Sequence, residues 1–77
     1  MQPNRRQNGF SPSLIAGLVR EYPGSTCAEL SAASGILPQV LSEALCHTRD
    51  TLHSIRKGEP KICTINSRLS ETWHPVS

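Results

Sequence analysis

Proline and glycine cut the first two thirds of this chain into three short pieces, each able to form a helix and none able to form a long one. Ser11-Pro12 opens the first piece. Serine is a favoured N-cap, and proline is tolerated at the first helical position because its missing N–H would be unpaired there anyway. Leu14, Ile15, Leu18 and Val19 follow at i, i+1, i+4 and i+5, with Tyr22 beyond. That apolar stripe has the helical period, and Pro23-Gly24 stops it, so a helix is expected over 12–22. Thr26-Cys27-Ala28-Glu29 fits a capping box and starts a short helix over 27–34, with Leu30 and Ala33 on its buried side. Gly35 follows, where the chain needs a residue that accepts positive φ. Pro38 begins a third helix over 38–49, with Val40, Leu41, Ala44 and Leu45 as its apolar stripe.

The pattern then changes. Residues 51–56 and 61–65 are short and rich in β-branched side chains, and Lys57-Gly58-Glu59-Pro60 separates them. This predicts a β-hairpin with Ile55 and either Cys63 or Ile65 facing the helices. Residues 1–10 read as a mobile basic arm, 11–66 as the folded domain, and 67–77 as a polar tail ending in Trp73-His74-Pro75-Val76-Ser77.

Three helices, the second and third joined by a tight glycine turn, followed by a basic hairpin, resemble the winged helix-turn-helix domain. The segment 27–46 carries the likeness: Leu30 and Ser31 where the first helix of the pair packs, Gly35 at the turn, Ile36 after it, and Leu41 with Ala44 or Leu45 where the second helix returns to the core. The resemblance implies an α+β fold in which a two-stranded hairpin serves as the wing. It also implies a small transcriptional regulator or accessory protein of the kind found in bacteria and their phages. In such a domain the third helix enters the DNA major groove, which assigns Gln39, Ser42 and Glu43 to base contact.

Size and composition agree with a single small domain. Seventy-seven residues with 36% hydrophobic side chains supply one core but no buried catalytic cleft with a supporting shell. The charged fraction, 18%, and the net charge, +2, are too low to drive disorder. Three cysteines without a Cys-x-x-Cys cannot all pair within the chain, which points to a reducing compartment. No apolar run approaches the ~20 residues of a membrane span, and the opening residues lack a signal-peptide core, so a cytoplasmic location without membrane contact is expected.

Charge distribution is more informative than its sum. Between Glu21 and Thr48 there is no lysine or arginine, while Arg5, Arg6, Arg49, Arg56, Lys57 and Lys61 lie on the flanks. Phosphate neutralisation supplies most DNA affinity. The third helix has no cation before Arg49, so arm and wing must hold the phosphates, Gln39 pairing with adenine and Glu43 accepting from cytosine. Six cations give a monomer modest affinity, and a homodimer doubles the number. Trp73 is expected either to dock on its own domain or to sit at a two-fold contact, the second preferred because tryptophan is enriched in interface hot spots. A neutral-to-acidic third helix also fits a different class, a winged-helix module that contacts a protein partner and no DNA.

Metal binding and catalysis are not expected. Cys27, Cys46, Cys63, His47, His53 and His74 are ligand types without a zinc-finger spacing. Cys46 and His47 are adjacent, and neighbouring helical residues do not face each other, so they make no nucleophile–base pair. No cofactor is implied.

Overall fold

The computed structural model describes residues 10–76. It is a small α+β domain in which three helices pack on a three-stranded antiparallel sheet. Helix α1 spans Pro12–Glu21. Ser11 is its extended N-cap, and the Ser11 hydroxyl accepts from the Leu14 N–H at 3.2 Å. Ile15, Ala16 and Val19 are buried, whereas Leu14, expected in the core, is 56% exposed. Leu14 stands on the solvent side of the stripe because the core is met by i, i+1 and i+4 of Ile15.

Strand β1 is only Ser25–Thr26 and was not foreseen. Two residues cannot carry a periodic signal. They become a strand because a longer one lies beside them, Ser25 opposite Trp73 and Thr26 opposite Thr72. Helix α2, Cys27–Ser34, starts with the full capping box and ends at Gly35, whose φ of 81° is the left-handed conformation that glycine reaches without a Cβ penalty. Only Leu30 of this helix is buried, and Ala33 faces solvent.

Helix α3, Pro38–Leu52, runs one turn past the expected end at residue 49. Thr51 and Leu52 look like the start of a strand, but local β-propensity is weak against a helix already anchored by buried Leu41, Leu45 and Thr48. The stop is His53, with φ 56°, in the role that glycine usually fills.

The hairpin is the main correction. Strand β2 is Ile55–Ile62 and strand β3 is Leu69–Pro75, paired antiparallel in the order β1-β3-β2. The residues 57–60, expected as the turn, lie inside β2, where the register slips between Gly58 and Lys61. Pro60 fits because β2 is an edge strand with a bulge, the setting in which a strand accommodates proline. Gly58 is required there by close approach and not by a turn: a Cβ would run into the His74 ring and the Thr72 hydroxyl. The true turn lies between Cys63 and Arg68. Cys63 N–H donates to Arg68 C=O at 2.8 Å, Ser67 N–H to Cys63 C=O at 2.9 Å, and Arg68 N–H to the Asn66 side chain at 3.0 Å.

Residues 69–75, read as tail, are therefore the central strand. The core joins Ile15, Ala16, Val19, Leu30, Leu41, Leu45, Ile55 and Trp73. Each large side chain there contributes about 1.5–3 kcal/mol relative to exposure. Of the two places expected for Trp73, it takes the one on its own domain rather than the preferred two-fold contact: it is 5% exposed within this chain's core. Cys63 is buried as expected, but Ile65 is 58% exposed.

Candidate nucleic-acid interface

Leu41, Leu45 and Thr48 turn one face of α3 to the core. The opposite face carries Gln39, Ser42 and Glu43, all exposed. Cys27 and Ala28 of α2 with Pro38, Ser42 and Cys46 of α3 line one side of a cleft of about 300 Å³, and Lys57, Asn66, Ser70, Glu71 and Trp73 line the hairpin side. The cleft thus joins the polar side of α3 to the hairpin.

The predicted cations are not gathered there. Successive residues of a strand point to opposite faces, which separates Arg56 from Lys57. Lys57 lines the α3 cleft, whereas Arg56 and Lys61 line another opening, of about 480 Å³, with Thr72 and His74. Three of the six predicted cations already hold carboxylates: Arg49 with Asp50 at 3.2 Å, Lys57 with Glu71 at 3.0 Å, and Lys61 with Glu29 at 3.1 Å. Lys57 also lies 5.6 Å from the Trp73 ring centroid. Arg56 has no carboxylate partner among the described residues, and Arg5 and Arg6 lie outside them.

The three pairs differ in strength. Exposed pairs such as Arg49–Asp50 are worth about 0–1 kcal/mol, so a phosphate can displace the carboxylate. The Lys61 partner is held more firmly. Glu29 Oε1 accepts from Thr26 N–H at 3.1 Å as well as from Lys61, and its Oε2 accepts from the Thr64 N–H at 3.0 Å and the Thr64 hydroxyl at 2.8 Å. The Thr64 N–H, aided by Thr26, the Thr64 hydroxyl and Lys61, outweighs burial and lowers the carboxyl pKa from 4.5 to about 2. One side chain therefore caps α2 and fastens the hairpin turn to it.

Thr26 forms a second tie across the same gap. Its hydroxyl accepts from Glu29 N–H at 3.3 Å and donates to Cys63 Sγ at 3.0 Å. Burial pushes the Cys63 thiol up, but the Thr26 hydroxyl and the N–H groups of Asn66 and Ile65 outweigh it and hold the thiol below its ordinary value. Burial, with Cys46 and Cys63 nearby, pushes the Cys27 thiol up. Among the described residues no group of three or more His, Cys, Asp or Glu could hold a metal ion, and no helix is long and apolar enough to cross a membrane.

Sequence reasoning missed Arg68, which is exposed at the hairpin turn and lacks a carboxylate partner among the described residues. It also missed Asn66 and Ser70, which line the cleft. The signal was present in Asn66-Ser67, a polar pair suited to a turn, followed by Thr72 and Trp73, which favour strands. Assigning the turn to Gly58 and Pro60 hid it. No family model, curated protein or solved structure matches the chain.

Proposed function

We propose that this chain is a winged helix-turn-helix domain that binds double-stranded DNA as a small transcriptional regulator or accessory protein. The observation that carries the reading is the exposed face of α3, with Gln39, Ser42 and Glu43, whose Ser42 borders the cleft shared with the hairpin. The element order supports it: α1, a two-residue strand, α2 and α3 joined at Gly35, then a hairpin whose second strand is central. In this arrangement α3 enters the major groove, and Gln39 pairs with a base for about 1–3 kcal/mol of discrimination. Arg68 and the arm residues Arg5 and Arg6 hold phosphates, while Lys57 and Arg49 exchange their surface carboxylates for them; Arg56, on the sheet face away from the α3 cleft, takes no part. Lys61 stays with Glu29 and serves the fold.

Salt dependence tests this division of labour. Fluorescence anisotropy on mixed-sequence duplex should give an affinity that falls steeply with salt. Arg68→Ala should lower the log–log slope by about one, whereas Arg56→Ala and Lys61→Ala should leave the slope nearly unchanged. Absence of binding at low salt sinks the proposal.

A second reading, a module that contacts a protein partner and no DNA, is favoured by one observation: Arg49, Lys57 and Lys61 are neutralised within the chain. Under that reading Gln39 and Ser42 substitutions abolish partner binding and the salt slope on DNA is flat.

A further inference from the structure

Three large aliphatic side chains stand in solvent at the far end of the hairpin. Ile62 is 60%, Ile65 58% and Leu69 68% exposed. Ile62 and Leu69 are register partners across β2 and β3, so their side chains share one face. Ile65 lies in the turn that joins the two strands. A cluster of exposed aliphatic groups on a domain with so small a core marks a contact site. A hairpin end offers a projecting knob.

The polar neighbours select its partner. Arg68 adjoins Leu69 and has no carboxylate partner among the described residues. Asn66 and Ser70 extend from the same end into the cleft shared with Ser42 of α3. Two copies joined tip to tip would bring Arg68 against Arg68, a like-charge contact. A duplex offers the complement of both features: phosphates for the arginine and stacked apolar bases for the aliphatic groups. We infer that the hairpin tip is an apolar wedge that enters the minor groove of duplex DNA and unstacks a base step. Ile62, Ile65 and Leu69 form the wedge, and Arg68 holds the flanking backbone.

The inference rests on the DNA-binding reading and deepens it, because the hairpin then distorts DNA as well as supplying charge. Unstacking is least costly at flexible pyrimidine–purine steps, so the wedge selects such steps without hydrogen-bonding their edges.

The test uses the full chain with duplexes carrying 2-aminopurine at a TpA step and a fluorophore pair at the two ends. The wild type should raise 2-aminopurine emission and shorten the end-to-end distance. The double variant Ile65→Ser/Leu69→Ser should lose both signals and bind about ten-fold more weakly, with an unchanged salt slope. Arg68→Ala should lower the slope and keep the unstacking signal. All four side chains are exposed, and circular dichroism checks that each variant folds. Wild-type binding to a duplex that stays straight and stacked overturns the wedge and leaves the DNA reading standing. The wedge is equally overturned if the double variant bends DNA as the wild type does, including the case where sedimentation shows that it has only lost self-association. Absence of any anisotropy change with wild type at low salt removes the DNA reading, and the wedge with it.

Discussion

Glu29 caps α2 and fastens the hairpin turn to it with one side chain. Its two oxygens take four donors, two from Thr64, one from Thr26 and one from Lys61, so one carboxylate ties α2 to the hairpin turn beside the Thr26–Cys63 contact. Hydrogen bonds to a charged group are worth about 1.5–3 kcal/mol each at most, and the set is not additive. Because the folded pKa is about 2 against an ordinary 4.5, the folded state favours the ionised form. The stabilisation is therefore complete above pH 4.5 and disappears as pH falls through about 2. Glu29→Gln should cost about 1–3 kcal/mol at neutral pH and flatten the acid limb of the stability profile between these values. Urea unfolding followed at Trp73 across that range measures it, and parallel wild-type and variant profiles would refute the assignment. Sequence reasoning saw half of this residue. The capping box at Thr26–Glu29 is a local pattern, three residues apart, and was legible. The tie to Thr64 spans thirty-five positions and has no sequence signature.

At the level of elements, the three helix starts and the first two stops are readable because local signals mark them, whereas the end of α3 at His53 carries none. Ser11-Pro12, the Thr26 box and Gly35 act through groups within four residues, and local rules capture them. The hairpin was misplaced because Gly58 and Pro60 have two physical uses. In a turn they set backbone angles; in β2 they mark a bulge on an edge strand and a close approach to β3. Only the neighbouring strand decides between them. The exposed face of α3 was legible from its period, whereas Arg68 was not, because its place depends on where the turn falls. The close approach at Gly58 makes its own prediction. Thr72 donates to Glu59 C=O at 3.0 Å and meets His74 Nε2 at 2.9 Å. A hydroxyl has one proton, so His74 Nε2 is the donor in that second bond, and the ring is fixed where a Cβ on residue 58 would enter. Gly58→Ala should destabilise the chain by about 1–3 kcal/mol through overpacking. His74→Ala in the same chain should recover part of that loss, since it removes the ring that the methyl group meets. Strictly additive losses in thermal unfolding of the single and double variants would show that the ring is not the obstacle.

The whole molecule depends on its last strand. Strands β1 and β2 do not touch each other in the sheet order, and each is paired to β3 alone. Gly24 N–H also donates to Trp73 C=O at 2.8 Å, so the turn after α1 hangs on the same strand. Trp73 fills the space between the sheet and the helices. A chain of 77 residues has a net stability of roughly 4–12 kcal/mol. Removing a buried tryptophan costs about 3–5 kcal/mol by itself, before the unpaired backbone groups of β1 and β2 are counted. A chain ending at residue 66, where the composition suggests that the domain stops, should therefore show no cooperative thermal transition. A chain ending at Val76, which keeps the Val76 N–H bond to Ser54 C=O at 2.7 Å, should unfold within a few degrees of the full length. Calorimetry on the two truncations distinguishes a sheet built around β3 from a helical domain with a dispensable tail, because only the second keeps a cooperative transition after residue 66.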